Sequence, residues 1–592
     1  MAIVALAKWL EKNGYTQDDY DFFDIDMLLP SDEEIKEYLL GYQPAVIGLS
    51  AILASTYGQV KRIAQIARQV CPDAWIIMGG HLAAAAHTVL IKTEVDICVA
   101  GDGEYPLVEF LDYVKAHGRN WDFVALSRIK GLCFIDGEGV FRFNGWAPGI
   151  PAEELELPDY DLFRRGLKDQ PHLIENYFND HCGMGSYDPR YQAIKLPRKT
   201  ATMPTSKGCV ARCTFCQRAA KGYRVISPCK IEEHLVYLKK TFAVTDIQLA
   251  DENSGSNIKQ IYEIAKLMKS HDLLWAQGGV RVTSFDAEDV KFMRDHNCYN
   301  IKFGLEAGSQ VMLDVMDKKI TVEGILKGFQ YCIDADMTTL VSLWVLGSPG
   351  ETDETIMETG RLAGKLAYML GVPAHLLYAG IGSAGYVIPF PGTPIYEYAQ
   401  KTGVLPTDPD GEEKYLLHLS IVKNAGKIRY CNISGAPKKE WYFWDILIGL
   451  EASRTYRELC RQSPVKSDTF CARSNIDGLR RQPSMTFFFA FRAALSTFSW
   501  AVCNPIVDAL PRGVVYPILR NLNYLLNVVI KDTMRALLGR TSPAFPGAGV
   551  AKQRYIVRRH STNANRAESL RREIKDEPLH ANAEAELLIR GQ

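Results

Sequence analysis

Two hydrophobic periods alternate over the first 118 residues. Ala5, Trp9 and Leu10, set among Lys8, Glu11 and Lys12, recur at helical spacing and predict an amphipathic helix that stops at Gly14. Phe22–Met27 predicts a short strand. Ala45–Ser50 (AVIGLS) is a continuous apolar run, as a strand buried on both faces requires. Val60–Val70 predicts a helix, Trp75–Met78 a second buried strand before Gly79-Gly80, and Ile97–Ala100 a third before Gly101-Asp102-Gly103-Glu104. Strand and helix in turn, joined by short Gly-rich loops, predict a parallel, doubly wound sheet with ligands beyond the strands' carboxyl ends. The loops there are Ser50–Gly58, Gly79–His87 and Gly101–Tyr105. The chain opens in a helix, whereas such a sheet normally opens in its central strand. That strand is expected ~20–40 residues upstream of Met1, because losing it would leave two neighbouring strands with unpaired buried backbone groups.

Residues 151–199 hold two Pro-bounded stretches (Leu157–Phe163, Leu196–Lys199) with little periodicity and predict a linker. From Thr200 to about Phe390 the βα alternation resumes. Strand-like runs are Thr202–Lys207, Asp246–Ala250, Leu274–Gly278, Asn300–Gly304, Thr339–Leu346 and Ala384–Ile388, with helical stretches such as Lys230–Lys240, Asn257–Lys269 and Val322–Ile333 between them. Six βα units suit a partial barrel with its chemistry at the strands' carboxyl ends. Beyond Trp441 the pattern changes. Met485–Val502 (MTFFFAFRAALSTFSWAV) and Val514–Ile530 are apolar, but shorter or more polar than a spanning helix of about 20 apolar residues. A pair of interfacial helices with basic flanks and a pair of buried core helices both suit them. The polar, charged end of the chain predicts a disordered tail.

A length of 592 residues suggests several domains, and 47% hydrophobic with 23% charged residues supplies real cores. Collagen-like, disordered and disulfide-stapled chains are excluded. The net charge of −1 gives no global sign of a nucleic-acid partner, but residues 451–592 carry a net +10 and residues 1–450 a net −11. Such a split marks either a basic tail that meets an anionic surface or a solvated helical face. Fourteen cysteines without a signal-peptide pattern at Met1 are read as metal ligands before disulfides, with the cytoplasm as the expected address.

The sharpest motif is Lys207-Gly208-Cys209-Val210-Ala211-Arg212-Cys213-Thr214-Phe215-Cys216, predicted to follow the barrel's first strand. Three thiolates spaced x3 then x2 can converge on a soft metal centre. A closed zinc site would want a fourth ligand nearby, for which Cys229 and His234 are the candidates. Three ligands alone leave a position open.

On these residues the chain resembles radical S-adenosylmethionine (SAM) enzymes with an amino-terminal cobalamin-binding domain, over most of residues 1–400. The resemblance implies an α/β architecture: a doubly wound, Rossmann-like cobalamin-binding domain (1–150, first strand missing), a linker (151–199), a partial (β/α)6 radical SAM barrel (200–420) and a mostly helical carboxy-terminal region (421–592). It implies that Cys209, Cys213 and Cys216 hold a 4Fe–4S cluster whose fourth iron binds SAM, with Phe215 beside the last cysteine. Asp251 and Glu252 match an acidic turn that meets the SAM amino group, with a solvated turn as the alternative. Arg281 and Thr283 follow the third strand. Glu306, in Gly304-Leu305-Glu306-Ala307-Gly308-Ser309, matches a polar contact to SAM; capping of the next helix is its alternative. Gly347, in Gly347-Ser348-Pro349-Gly350-Glu351-Thr352, and Pro391-Gly392-Thr393-Pro394 look like loops of the cobalamin-type subgroup. Ser50, Gly79, Gly80, Gly101 and Glu104 lie in loops that look like the cobalamin cradle, where small residues let the corrin approach the backbone. The Asp-x-His-x-x-Gly motif that supplies a cobalt ligand in some relatives is absent, and neither His81 nor His87 is on the corresponding loop. Leu157-Pro158-Asp159-Tyr160-Asp161 resembles the family's inter-domain signature.

The activity this implies is reductive cleavage of SAM to a 5′-deoxyadenosyl radical, serving methylation of an unactivated carbon. A cyclase or rearrangement enzyme without methyl transfer and a non-catalytic metal-binding protein are the alternatives. The implied partners are a flavodoxin- or ferredoxin-type electron donor and a small-molecule or lipid-linked substrate. No nucleic acid is expected, and the basic carboxy-terminal region is expected to touch the inner membrane face peripherally.

Overall fold

The structure, a computed structural model, describes residues 2–179, 198–218, 222–420, 431–466 and 510–530, with a few isolated positions between them. The Met485–Val502 stretch and the polar tail lie outside the described residues. The first sheet runs β1 (Val46–Ser50), β2 (Trp75–Gly79) and β3 (Ile97–Val99) in parallel, extended by an antiparallel hairpin of β4 (Leu132–Ile135) and β5 (Phe141–Phe143). Trp75–Met78 is buried throughout, as its unbroken apolar run predicts. Helices Tyr57–Val70, Ala86–Lys92 and Glu104–His117 follow the three parallel strands in turn.

The first elements of this domain differ from expectation in two places. β1 pairs directly with β2, from Val46 opposite Trp75 to Ser50 opposite Gly79, so no gap opens between these neighbours. Among the described residues no strand pairs with the other edge of β1. Phe22–Met27 is not a strand. Asp24 accepts the Met27 N–H at 3.1 Å and caps a single helical turn, Ile25–Leu28. A strand needs a neighbour to fill its backbone ladder, and none is offered there.

Residues 151–179 are not a free linker either. Asp159 caps helix Tyr160–Gly166 and pairs with Lys8 at 2.8 Å, while Tyr160 and Phe178 pack on Phe242 of helix Pro228–Phe242, and Phe163 and Tyr177 pack behind Tyr160. Aromatic rings at irregular spacing show no period, yet they fill a core between the domains.

The second sheet carries β6 (Thr200–Met203), β9 (Asp246–Leu249), β10 (Leu274–Val280) and β11 (Cys298–Phe303), all parallel. Parallel bridges Asn300–Thr338 and Glu306–Trp344 carry it on to β12 (Leu343–Leu346), which pairs with β13 (Ser383–Tyr386). The result is the expected open six-stranded barrel. The run Thr202–Lys207 splits in two, however. Pro204 has no N–H to donate, so β6 ends there and the chain enters β7 (Ser206–Gly208), antiparallel to β8 (Tyr223–Val225). The cysteine loop therefore sits inside a hairpin at the barrel mouth and not on the end of a barrel strand. Gly208, at φ +88°, closes this hairpin: a Cβ there would lie 2.1 Å from the Gly222 carbonyl oxygen.

The expected boundary at residue 420 also shifts. Helix Pro409–Ser420 leaves the barrel and lies on the first domain, where Tyr57 donates to Glu413 at 2.8 Å and Ser420 Oγ accepts the Gly58 N–H at 3.0 Å. Helix Trp444–Gln462 packs back on barrel helix Asp353–Met369 at Gly364, where a Cβ would lie 2.4 Å from the Ala452 carbonyl oxygen. No helix among the described residues is long and apolar enough to cross a membrane.

Candidate functional site

The loop that carries the three cysteines is pinned on three sides. Thr214 donates its N–H to Met316 at 2.9 Å and accepts that of Ile395 at 3.2 Å. Gln217 Nε2 donates to the carbonyls of Pro391 at 2.8 Å and His81 at 3.1 Å. Cys209 Sγ accepts the Ala211 N–H at 3.4 Å. Cys213 is buried, Cys209 half-buried and Cys216 exposed. Burial pushes the Cys213 thiol up, while nearby Lys318 and Arg281 pull it down. Although Cys216 has an exposed surface, the protein packed around its thiol desolvates it, and this together with Cys213, Glu252 and Cys209 pushes it up to about 11. The three thiols are thus close enough to feel one another's charge, with cations at hand to offset it.

Among the described residues no three His, Cys, Asp or Glu side chains gather around a single metal ion. Both candidate fourth ligands belong elsewhere: Cys229 is exposed and bonded to Glu233, and His234 stacks on Tyr160. In a 4Fe–4S cluster each thiolate holds its own iron, so the thiols surround a space and do not meet at a point. Three interacting thiols on one pinned loop fit that group.

The residues expected on the SAM side divide. Asp251 is spent: its carboxylate accepts Thr205 N–H (2.7 Å) and Oγ1–H (2.6 Å) and Ser206 N–H (2.6 Å) and Oγ–H (2.9 Å). Burial pushes this carboxyl up, and those four bonds oppose the shift. Asp251 is therefore a latch that holds the start of the cysteine hairpin to the end of β9, not a ligand offered to SAM. Glu252 beside it is exposed and makes no hydrogen bond among the described residues, and its charge reaches Cys216. Glu306 does not cap the next helix, whose N-cap is Ser309. It holds a left-handed φ of +66° and pairs with Lys318 Nζ at 2.8 Å. Lys318 Nζ also stands 5.8 Å from the Phe215 ring centroid. Arg281 acts one step back, donating to the Lys318 and Lys319 carbonyls at 2.7 and 2.9 Å. Gly347, at φ +87°, gives its amide to buried Glu351, and a Cβ on it would lie 3.1 Å from Trp441 Nε1. It shapes this turn.

On the first domain, Ser50 and Gly79 stand side by side at the carboxyl ends of β1 and β2. A Cβ added at Gly48 or Gly79 would meet nothing within 4 Å, so the backbone there is open to a large flat group. Gly80, at φ +103°, is required by the turn itself: a Cβ would lie 2.4 Å from the Ala51 carbonyl oxygen. These residues fit a cobalamin cradle. Gly101 and Glu104 do not belong to it. Gly101 packs beneath Ala147, and Glu104 is buried against Lys207 at 3.4 Å. Lys207 also pairs with Asp102 at 3.0 Å, as does Arg224 at 2.9 Å. That loop is a clamp between the domains. Lys207 stands at the head of the cysteine motif but takes its role from Asp102 and Glu104, while Arg224, Gln217 and Lys318 belong to no motif. For Lys318 there was no local signal: it sits between Asp317 and Lys319, both at left-handed φ, and meets Glu306 only through the fold.

A doubly wound domain whose open strand ends face a three-thiol loop at the mouth of a partial barrel defines a protein built to hold two cofactors against each other. Residues 203–363 match the radical SAM superfamily model and residues 1–111 the B12 binding domain model; the chain carries a radical SAM domain with a B12 binding domain ahead of it. Domains of these two kinds hold a 4Fe–4S cluster with SAM, and cobalamin. The chain is 29% identical over 364 residues to the anaerobic magnesium-protoporphyrin IX monomethyl ester cyclase of Cereibacter sphaeroides, covering 60% of this chain and 54% of the relative. It is 22% identical over 348 residues to the cytidylyl-2-hydroxyethylphosphonate methyltransferase of Streptomyces wedmorensis, covering 55% of this chain and 63% of the relative. The chain thus spans between half and two thirds of these relatives' lengths. The solved structure of the cobalamin-dependent SAM radical enzyme OxsB shares the fold at a TM-score of 0.57 and 14% identity, over 91% of this chain and 78% of that one.

Proposed function

We propose that this protein cleaves SAM reductively at a cluster held by Cys209, Cys213 and Cys216, and uses the 5′-deoxyadenosyl radical for cobalamin-dependent methylation of an unactivated carbon. The observation that carries this reading is the bridge from Gln217 to the His81 carbonyl, which makes the cysteine loop one wall of the cradle at the ends of β1 and β2. When bound, the cluster supplies the electron that breaks a carbon–sulfur bond of SAM, and cobalamin supplies a methyl group. The chain's own residues hold and orient. Glu252 offers a carboxylate to the amino group of SAM, and the Glu306–Lys318 pair sets the charge beside Cys213. Asp251 and the Lys207 clamp fix the hairpin and close the domains over it, which keeps water from the radical.

A second reading, a radical cyclase that holds cobalamin without transferring its methyl group, is favoured by the likeness to the porphyrin ester cyclase. In either reading a flavodoxin- or ferredoxin-type donor delivers the electron, and the substrate is a small or lipid-linked molecule met in the cytoplasm or at the inner membrane face. Anaerobic turnover of the reconstituted protein separates the two. S-adenosylhomocysteine formed together with 5′-deoxyadenosine supports methylation, 5′-deoxyadenosine alone supports the second reading, and neither product overturns both.

A further inference from the structure

Helix Arg512–Tyr524 and its continuation Leu525–Ile530 are built inside out. The face turned to the protein carries the polar groups. Arg512 is held by the fully buried carboxylate of Glu451 at 2.8 and 3.0 Å, Arg520 pairs with Glu440 at 3.0 Å and Asp353 at 3.3 Å, and Asn523 donates to the Tyr442 carbonyl at 3.0 Å. Of the apolar side chains only Val515 and Tyr516 are buried. The opposite face presents Val514, Ile518, Leu522, Leu525, Leu526, Val529 and Ile530, each between 45% and 59% exposed. Their spacing of three and four residues forms one continuous ridge without a charged group. The concentration is local: of 21 exposed large apolar side chains among the described residues, eight fall in residues 510–530. Scattered exposed apolar residues need no explanation, but a contiguous ridge held outward by ion pairs, one of them to the buried Glu451 carboxylate, does.

The rim of the ridge is basic. Exposed Lys438 and Lys439 lie beside it, with Lys439 Nζ 3.4 Å from Asn521 Oδ1 and 5.7 Å from the Tyr524 ring centroid. In sequence Lys531, Asp532, Arg535 and Arg540 follow it, outside the described residues, and residues 451–592 as a whole carry a net +10. We infer that this ridge docks the protein on an anionic lipid bilayer, with the aliphatic side chains in the headgroup–acyl boundary and the lysines among the lipid phosphates. The basic rim decides for a bilayer over a protein surface: an intramolecular partner such as the apolar segment 485–502 would cover the ridge without needing cations around it. The placement has a consequence for access. The helix that carries Lys438 and Lys439 ends in Trp441, which packs on Tyr386, the last residue of β13, with ring centroids 5.2 Å apart. A docked ridge brings that side of the barrel mouth to the lipid surface.

The test is flotation of the full-length reconstituted protein with phosphatidylcholine vesicles, with and without added phosphatidylglycerol. The wild type floats with the anionic vesicles and is released by salt. The triple variant Ile518→Ser/Leu522→Ser/Leu526→Ser loses roughly ten-fold or more of that binding, and Lys438→Glu/Lys439→Glu lowers it on anionic vesicles only. Thermal unfolding and cluster absorbance check that the variants keep their fold. Wild-type protein that floats with neither vesicle, or a ridge variant that floats as well as wild type, overturns the inference. If the triple variant instead loses thermal stability, or a wild-type dimer falls apart in it, with no flotation in either protein, the ridge is covered by segment 485–502 or by a second copy, and the inference fails.

Discussion

Gln217, one residue past the last cysteine of the CxxxCxxC motif, donates through a single amide nitrogen to the main-chain carbonyls of His81 and Pro391, 136 and 174 positions away. A side chain shared by the loop after β2, the cysteine loop and the loop after β13 ties the first domain to the barrel at the point where the two cradles meet. With the Lys207 clamp it makes the site a product of domain docking.

Cluster content depends on Cys209, Cys213 and Cys216 alone. Alanine at any of the three abolishes the cluster's absorbance and 5′-deoxyadenosine formation. Alanine at Cys98, Cys298 or Cys460, which belong to the packed body of the protein, leaves both in place. Iron and sulfide analysis with a SAM-cleavage assay reads this, and a triple mutant that still cleaves SAM would rule the assignment out.

Asp251 and Glu252 separate by phenotype. Asp251→Ala removes four hydrogen bonds from a buried latch and lowers stability by about 2–4 kcal/mol. Glu252→Ala leaves thermal unfolding unchanged and weakens SAM binding roughly ten-fold, the worth of one charge-assisted hydrogen bond. Calorimetric binding and melting of the two variants together decide between latch and ligand; the reverse pattern would refute both assignments.

Breaking the domain clamp loosens cobalamin before it affects the cysteines. Lys207→Ala leaves buried Glu104 without its ion pair. Because Lys207 is itself a third exposed, the cost is discounted to about 1–2 kcal/mol. Gln217→Ala removes two hydrogen bonds and raises the cobalamin dissociation constant by roughly ten-fold. Equilibrium dialysis of cobalamin, with iron content as the control, is the measurement. Unchanged cobalamin retention in the double variant would count against the shared wall.

Glu351 gives stability a pH slope. Burial pushes its carboxyl from the ordinary 4.5 up to about 8, against the pull of the Gly347 and Ser348 amides. Between those values the unfolded carboxyl has lost its proton while the folded one keeps it. The folded state then binds more protons, and stability falls as pH rises through that window. Glu351→Gln should flatten the fall in denaturant midpoints measured from pH 5 to 8; an unchanged slope would clear Glu351 of it.

The order of strands and helices, the change from doubly wound sheet to partial barrel, and the three cysteines are all local features. Residue periods of two and 3.6, Gly-rich strand ends and a short fixed spacing are written within a few neighbouring residues, so the sequence alone determined the parallel strands and their helices, while the hairpins β4–β5 and β7–β8 came only with the fold. The stretch Phe22–Met27 failed because a strand exists only if another lies beside it, and the aromatic core of 151–179 escaped notice because its partner, Phe242, is far along the chain. The roles at the site were settled by tertiary structure for the same reason. Asp251 and Glu252 are adjacent and alike in charge; one is spent and the other available because Thr205 and Ser206, 46 and 45 positions away, fold back onto the first. Glu104 becomes a clamp through Lys207, 103 positions on, and Lys318 enters the site through Glu306. A hydrogen-bonding group can be used only once, and which partner uses it is fixed by three-dimensional proximity, which no local pattern encodes.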